Sequence, residues 1–165
     1  MISEEQIKAR LATLAFEINR HYGGKSVIAV GILKGSIMFM ADLVRLFNFD
    51  VAMDFISVSS YGNGTTSSGV VKINKDLDMD VTGEDVLIIE DIVDSGRTLR
   101  YIKNHILDMG ARSVKVCTLL DKPEKRVVDI DMDYTGFEIE DKFVVGYGLD
   151  YAERYRGLRF IGVME

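Results

Sequence analysis

Three carboxylates and a run of small polar residues lie close together between positions 90 and 98. Glu90 and Asp91 are adjacent, Asp94 follows three residues later, and a turn-like run comes next: Ser95, Gly96, Arg97 and Thr98. Adjacent carboxylates can bind Mg²⁺ or accept hydrogen bonds from sugar hydroxyls. Small residues at a helix start leave backbone N–H groups available to a phosphate. A helix cap beside two solvated acids would use the same residue types, but the full pattern favours a site for a phosphorylated sugar and a divalent metal.

A buried strand and a helix are predicted to hold these groups. Residues 86–89 are four large apolar residues in succession, which is typical of a strand buried on both faces of a sheet. After the turn, apolar side chains recur at helical spacing as far as Gly110: Leu99, Ile102, Ile106 and Met109. Residues 114–120 form a further apolar strand. Together these segments predict a βαβ unit.

The rest of the chain repeats this alternation of helices and strands. Residues 3–21 predict an amphipathic helix, in which Ser3 and Gln6 form a capping box. Apolar strands are predicted at 26–33, 52–61, 70–73, 143–146 and 158–163, with a second helix ending near 47. We therefore predict an α/β fold, a single domain over residues 1–165 with a parallel-rich central sheet flanked by helices. Ligands bind beyond the carboxyl ends of such strands, so Lys34 and Gly35 should meet Glu90 and Asp91 there.

The segment 62–69 has no large apolar side chain. It contains three glycines and otherwise only small polar residues, so it cannot anchor itself in a core. We predict a mobile loop there. With Ser60 and Tyr61 at its base, the loop could close over a reacting centre and exclude water.

Composition limits the possible partners and the compartment. The 165 residues carry a net charge of −6, which argues against nucleic acid as the main partner. No secretory signal and no run long enough to span a bilayer is visible. Cys117, the single cysteine, lies in an apolar strand and cannot form an internal disulfide. We expect a cytoplasmic protein with no membrane partner.

Motifs along nearly the whole chain resemble those of one enzyme family. The segment 86–99 resembles the phosphoribosyl-pyrophosphate motif of the type I phosphoribosyltransferases. Residues 33–36 (Leu-Lys-Gly-Ser) look like the pyrophosphate loop of the bacterial hypoxanthine-guanine phosphoribosyltransferases, and 119–123 (Leu-Leu-Asp-Lys-Pro) look like their purine-reading segment. Residues 137–139 and 142–151 resemble the base-binding region, and 155–156 match a late arginine. The resemblance implies the type I phosphoribosyltransferase fold, with a small hood region and a mobile closing loop.

The resemblance implies a reaction and assigns residues to the purine. A nitrogen of a 6-oxopurine would attack the anomeric carbon of phosphoribosyl pyrophosphate, and pyrophosphate would leave. Asp94 would hydrogen-bond the other imidazole nitrogen and act as the catalytic base. Lys122 would donate to the 6-oxo group, which would exclude adenine. Phe143 would stack on the purine, and the Val144 backbone would pair with its edge.

Other residues are assigned by the resemblance to the sugar, the phosphates and the metal. Glu90 and Asp91 would bind ribose and Mg²⁺, and Asp150 would bind a second Mg²⁺. Residues 95–98 would bind the 5′-phosphate, with Arg97 either on the phosphate or in solvent. The remaining contacts to pyrophosphate and the closing loop are assigned to Lys34, Gly35, Ser60, Tyr61 and Arg156. In this family the peptide bond before the loop lysine can be cis. Relatives form dimers or tetramers, so we expect a homodimer or homotetramer.

Three alternatives remain open from the sequence. A xanthine- or guanine-preferring phosphoribosyltransferase would share all these motifs, because discrimination depends on groups near residues 144–150. A phosphoribosyltransferase-fold regulator that binds RNA would need a basic face, which the net charge disfavours. A receiver domain also carries an acidic pair at a strand end, but it would need another aspartate at a neighbouring strand and would not have the Ser-Gly-Arg-Thr turn.

Overall fold

The apolar strands of the sequence form one mainly parallel sheet. The computed structural model describes residues 1–61 and 70–165, with only the backbone of Tyr61. Over these residues the order in the main sheet is β3-β2-β1-β4-β5-β6, in which β3 alone runs antiparallel to its neighbour. The strand bounds are β1 Ser26–Ile32, β2 Asp50–Tyr61, β3 Val70–Lys75, β4 Asp85–Val93, β5 Ser113–Asp121 and β6 Tyr134–Glu138. The predicted α/β class is confirmed.

Helices cover both faces of this sheet. The helices are α1 Glu4–Tyr22, α2 Ile37–Val44 and α3 Arg97–Asp108. One core cluster joins apolar side chains of α1 and α2 to the sheet, and a second joins those of α3 to the opposite face. The burial of both faces explains why β4 is a continuous apolar run rather than an alternating one. None of the helices in the described part of the chain is long and apolar enough to cross a membrane.

Short-range hydrogen bonds set the start of α1 and the end of α2. The predicted capping box of α1 is present: Ser3 Oγ accepts from the Gln6 amide at 3.2 Å, and the Gln6 side chain accepts from the Ser3 amide at 2.8 Å. Helix α2 ends at Val44, before the predicted 47, because residues 45–47 form turns back onto Leu43 and Val44.

The carboxyl-terminal part of the chain forms a small second layer. Strands β7 (Val144–Val145) and β8 (Gly162–Val163) pair antiparallel. Both strands are shorter than the predicted 143–146 and 158–163. Val144 of β7 packs against the α1 side of the core, as do Tyr147, Leu149 and Ile161 of the turn-rich connection between the two strands. This layer, with residues 139–165, is the hood, and it lies beside the carboxyl ends of the main strands.

Candidate active site

The predicted phosphate turn joins β4 to α3. Gly96 adopts φ +82°, and it caps α3 without any side-chain hydrogen bond. The first amides of a helix have no backbone partner inside it, which favours an anionic acceptor at this end. Of these, the Arg97 amide donates to Ser95 Oγ at 3.3 Å. A cavity of about 200 Å³ opens at this turn, lined by Glu90, Ile92, Val93, Asp94, Ser95, Gly96, Thr98 and Leu99. Arg97 lies on the exposed side of the turn. The geometry suits a phosphate group.

Of the acidic pair, Glu90 lines this cavity and Asp91 does not. Glu90 is buried, and its side chain accepts a hydrogen bond from the Asp91 amide at 2.9 Å. Burial and the neighbouring Asp91 carboxylate raise the pKa of Glu90 well above its ordinary value. A cation or a pair of sugar hydroxyls bound here would relieve this repulsion.

Among the described residues, carboxylates are placed to bind a metal ion singly or in pairs, and they do not form a complete set of ligands. Within 1–61 and 70–165 no group of three or more His, Cys, Asp or Glu side chains is placed to hold a metal ion. Mg²⁺ commonly takes one or two protein carboxylates and completes its shell with water and substrate phosphates. The pair at Glu90 and Asp91 fits this type of site.

The loop after β1 packs directly on the acidic pair. The Leu33–Lys34 peptide bond is cis. Gly35 faces the Asp91 carboxylate so closely that a methyl group on its Cα would overlap it. The Gly35 carbonyl in turn lies against Gly148, where a side chain would also overlap. The predicted pyrophosphate loop, the acidic strand end and the hood therefore meet at Gly35.

Lys122 and Asp94 lie side by side at the ends of neighbouring strands. The Lys122 Nζ is 3.6 Å from Asp94 Oδ1 and 3.5 Å from Asp141 Oδ1. The lysine side chain is 9% exposed, whereas that of Asp94 is 55% exposed. A donor and an acceptor are thus presented next to each other, with the acceptor open to a ligand.

Arg126 connects the turns that carry these two residues. Its guanidinium pairs with Asp121, the last residue of β5, and its Nε donates to the Asp94 carbonyl at 3.2 Å. The arginine Cδ packs on Gly96, 2.9 Å from where a Cβ would lie. Sequence reasoning missed this residue, because the contact joins segments about 30 positions apart.

The predicted base-binding residues lie on the hood. The Phe143 ring is 55% exposed and meets Tyr151 edge to face, with centroids 5.9 Å apart. Val144 is buried in β7. An exposed aromatic ring next to an ordered backbone edge is suited to stacking on a planar ligand.

The predicted pyrophosphate cations contact acidic residues of the hood. Arg156 Nη2 lies 3.2 Å from Asp150 Oδ1 and 3.3 Å from Glu153 Oε1. Lys34 Nζ lies 2.7 Å from Glu153 Oε2. Hydrogen bonding to Lys34 holds the pKa of Glu153 below its ordinary value. Glu153 was also missed in the sequence, because residues 150–156 hold two acidic and two basic side chains but nothing in their order points to Lys34.

The base of the predicted closing loop extends beyond the sheet. Ile32, the last residue of β1, pairs with Ile56, so Ser60 lies four residues further along β2, roughly 13 Å past the end of β1. Ser60 pairs with Val71 of β3. The Tyr61 side chain and the predicted loop at 62–69 lie outside the described residues.

Comparison with known proteins gives a consistent picture. The phosphoribosyl transferase domain family matches residues 2–152. The hypoxanthine-guanine phosphoribosyltransferase of Bacillus subtilis is 53% identical over the whole chain and 92% of that protein. The bifunctional protein TilS/HprT of Listeria monocytogenes is also 53% identical, but the chain spans only 26% of its length. A crystal structure of a hypoxanthine-guanine phosphoribosyltransferase from Bacillus anthracis superposes with a TM-score of 0.96 at 48% identity, over 100% of this chain and 97% of that one.

Proposed function

The chain belongs to the phosphoribosyl transferase family, in its hypoxanthine-guanine branch, and we propose that it is a purine salvage enzyme. It transfers the 5-phosphoribosyl group of phosphoribosyl pyrophosphate to hypoxanthine or guanine, giving IMP or GMP and pyrophosphate. The relatives named hypoxanthine-guanine phosphoribosyltransferase, matched along the full chain, support this activity. The structural observation that best supports this activity is the Lys122–Asp94 pair beside the phosphate turn.

That pair matches one edge of a 6-oxopurine. Such a base presents N7 and O6 next to each other, and Lys122 Nζ and Asp94 Oδ1 are 3.6 Å apart. Lys122 donates to O6, while Asp94 accepts from N7–H. Adenine carries an amino group at position 6 and would leave the lysine opposite a donor. The site therefore selects against adenine.

The same placement lets Asp94 take part in the reaction. The purine N9 forms a bond to the anomeric carbon as the bond from that carbon to the pyrophosphate oxygen breaks. The proton on N7 passes to the Asp94 carboxylate, so the attached base becomes a neutral substituent of the nucleotide and pyrophosphate is the group that leaves. Phe143 stacks on the ring, and the Val144 backbone meets its edge.

Residues around Gly35 hold the sugar and the leaving group. The 5′-phosphate lies on residues 95–98, and the ribose hydroxyls lie on Glu90 and Asp91. Lys34, the Gly35 amide and Arg156 bind the pyrophosphate. Glu90 and Asp91 would hold one Mg²⁺ and Asp150 a second, and the bound ions would supply positive charge that offsets the charge developing on pyrophosphate.

The working form is proposed to be a single-domain cytoplasmic protein that assembles as a homodimer or homotetramer. The lone Cys117 is buried in β5, in keeping with a protein that has no need of disulfides. The net charge of −6 supports small molecules, rather than nucleic acid, as its partners.

A steady-state assay tests the function. The protein is supplied with phosphoribosyl pyrophosphate, Mg²⁺ and, in turn, hypoxanthine, guanine, xanthine or adenine, and nucleotide formation is measured. We expect turnover with hypoxanthine or guanine and none with adenine. Preference for xanthine would narrow the specificity, and the absence of product from every 6-oxopurine would contradict the proposal.

A further inference from the structure

A single acidic side chain bridges the two cations proposed to bind pyrophosphate. The Glu153 carboxylate places Oε2 at 2.7 Å from Lys34 Nζ and Oε1 at 3.3 Å from Arg156 Nη2. Each of its oxygens thus contacts a different cation. A phosphate oxygen of a bound diphosphate would need the same donors.

We propose that Glu153 is an internal competitor of the diphosphate group, and that its release from Lys34 and Arg156 sets the affinity for pyrophosphate and phosphoribosyl pyrophosphate. This inference rests on the proposed function, because it assumes that Lys34 and Arg156 bind the diphosphate. It adds an affinity-determining residue that leaves the cations when the ligand arrives.

The backbone holds Glu153 in place for this role. Ala152, Glu153 and Tyr155 have φ values of +50°, +65° and +75°. The left-handed region costs a non-glycine residue roughly 1 kcal/mol, so specific contacts must maintain it. One is the Glu153 amide, which donates to Asp150 Oδ2 at 2.8 Å. The turn thereby directs the glutamate towards the same cluster that contains Asp150.

The contacts of Glu153 are weak enough to exchange. The side chains of Lys34 and Glu153 are 67% and 63% exposed. Exposed ion pairs contribute little because water and salt screen them. A multiply charged diphosphate can therefore replace a single carboxylate. Arg156 keeps its other contacts, since its Nη1 donates to the Gly148 carbonyl at 2.6 Å.

A positioning role for Glu153 would change the affinity for diphosphate in the opposite direction. If Glu153 served to hold Lys34 and Arg156 in the binding geometry, removing its charge would weaken diphosphate binding. The two roles therefore separate in one measurement.

The test compares the wild type with Glu153→Gln and a matched control. Glu4→Gln removes the same charge from another carboxylate that lies between a lysine and an arginine, at 3.0 Å from Lys8 and 3.6 Å from Arg159, outside the site. The dissociation constants of pyrophosphate and of IMP are measured in the presence of Mg²⁺, together with the KM for phosphoribosyl pyrophosphate.

We expect Glu153→Gln to bind pyrophosphate roughly two- to fivefold more tightly, the range that an exposed ion pair allows. The KM for phosphoribosyl pyrophosphate falls by a similar factor. IMP affinity, which depends on the phosphate turn, stays unchanged and shows that the variant is folded. Glu4→Gln matches the wild type in all three measurements.

Unchanged or weaker pyrophosphate binding by Glu153→Gln overturns the inference and leaves the proposed function intact, provided that the wild type binds pyrophosphate and forms nucleotide. A wild type that binds no pyrophosphate and forms no nucleotide overturns both. Equal tightening in Glu4→Gln would also overturn the inference, because it would assign the effect to net charge.

Discussion

The two parts of the site that we propose to bind anions differ in the kind of donor they offer. At the phosphate turn the donors are backbone N–H groups at the start of α3, fixed by Gly96 and by the Arg126 side chain packed against it. On the diphosphate side the donors include the side chains of Lys34 and Arg156, which contact Glu153.

This difference separates a preformed site from one that must exchange partners. Backbone donors take their positions when the strand and helix fold, so they keep their geometry without a ligand. Long cationic side chains reach the nearest carboxylates of their own chain, because an unpaired charge gains from any opposite charge within a few ångströms. The phosphate turn should therefore bind its ligand with little change, and the diphosphate side should rearrange.

The largest expected effect is on turnover, and it comes from a change that leaves both anion-binding parts of the site in place. Asp94→Asn keeps the shape of the side chain but removes the proton acceptor. We expect turnover with hypoxanthine to fall roughly 10²-fold or more, as is usual for a general base, while the KM for phosphoribosyl pyrophosphate changes little. Steady-state kinetics provide the measurement. Near-normal turnover would show that Asp94 is not the base.

A second change acts mainly on the diphosphate side. Gly35→Ala would place a methyl group against the Asp91 carboxylate and displace the loop. Overpacking of this kind costs about 1 to 3 kcal/mol, so we expect the KM for phosphoribosyl pyrophosphate to rise about tenfold or more. The affinity for IMP should fall less, because IMP carries no diphosphate and shares only the ribose contact at Asp91.

The counterpart of that change acts on the phosphate turn. Gly96→Ala forces a side chain into φ +82° and against Arg126. With a cost of roughly 1 kcal/mol, we expect both IMP affinity and the KM for phosphoribosyl pyrophosphate to worsen about fivefold. If Gly35→Ala weakened IMP as strongly as Gly96→Ala does, the two parts of the site would not be independent.

The change with the smallest expected effect on the site is at Asp85, at the opposite end of the sheet. Asp85, at the start of β4, accepts from Arg112 Nη2 at 2.6 Å and Ser113 Oγ at 2.7 Å, and these contacts lower its pKa to about 2. Since the pKa is lower in the folded state, the stabilisation is present above the unfolded value near 4 and is lost as the pH falls towards 2.

The corresponding variant is Asp85→Asn. Because the Arg112 side chain is 62% exposed, we expect it to lower the free energy of unfolding at pH 7 by about 1 kcal/mol and to reduce the loss of stability between pH 4 and 2. Denaturant titrations at several pH values measure this, and both ligand affinities should stay unchanged. A loss of stability that is the same at pH 2 and pH 7 would contradict it.

The sequence predicted best what is encoded locally. The run from Val86 to Leu99 forms the predicted strand, turn and helix, and the Ser3–Gln6 capping box is present, because each depends on neighbouring residues. Edge strand β6 was not predicted. It is held by pairing with β5 and by the approach of the Leu119 carbonyl to Gly136, neither of which is visible in a local pattern.

The residues of the candidate site also divide into those that a local motif predicts and those that only tertiary contacts identify. Lys34, Asp94 and Lys122 could be selected because their motifs are contiguous, and the fold does bring their strand ends together. Arg126 and Glu153 could not, since each acts through a partner far away in the sequence: Arg126 through the Asp94 carbonyl, and Glu153 through Lys34. Contacts of this kind depend on tertiary structure.

The position of Cys117 has a further consequence for studying the protein. The residue is fully buried in β5, and burial raises the pKa of its thiol. A thiol reagent reacts with the thiolate, so modification requires the sheet to open first. The labelling rate of this single native thiol therefore reports how often β5 separates from its neighbours. A ligand that binds only the closed sheet slows that rate in proportion to its saturation, which gives its affinity without any turnover.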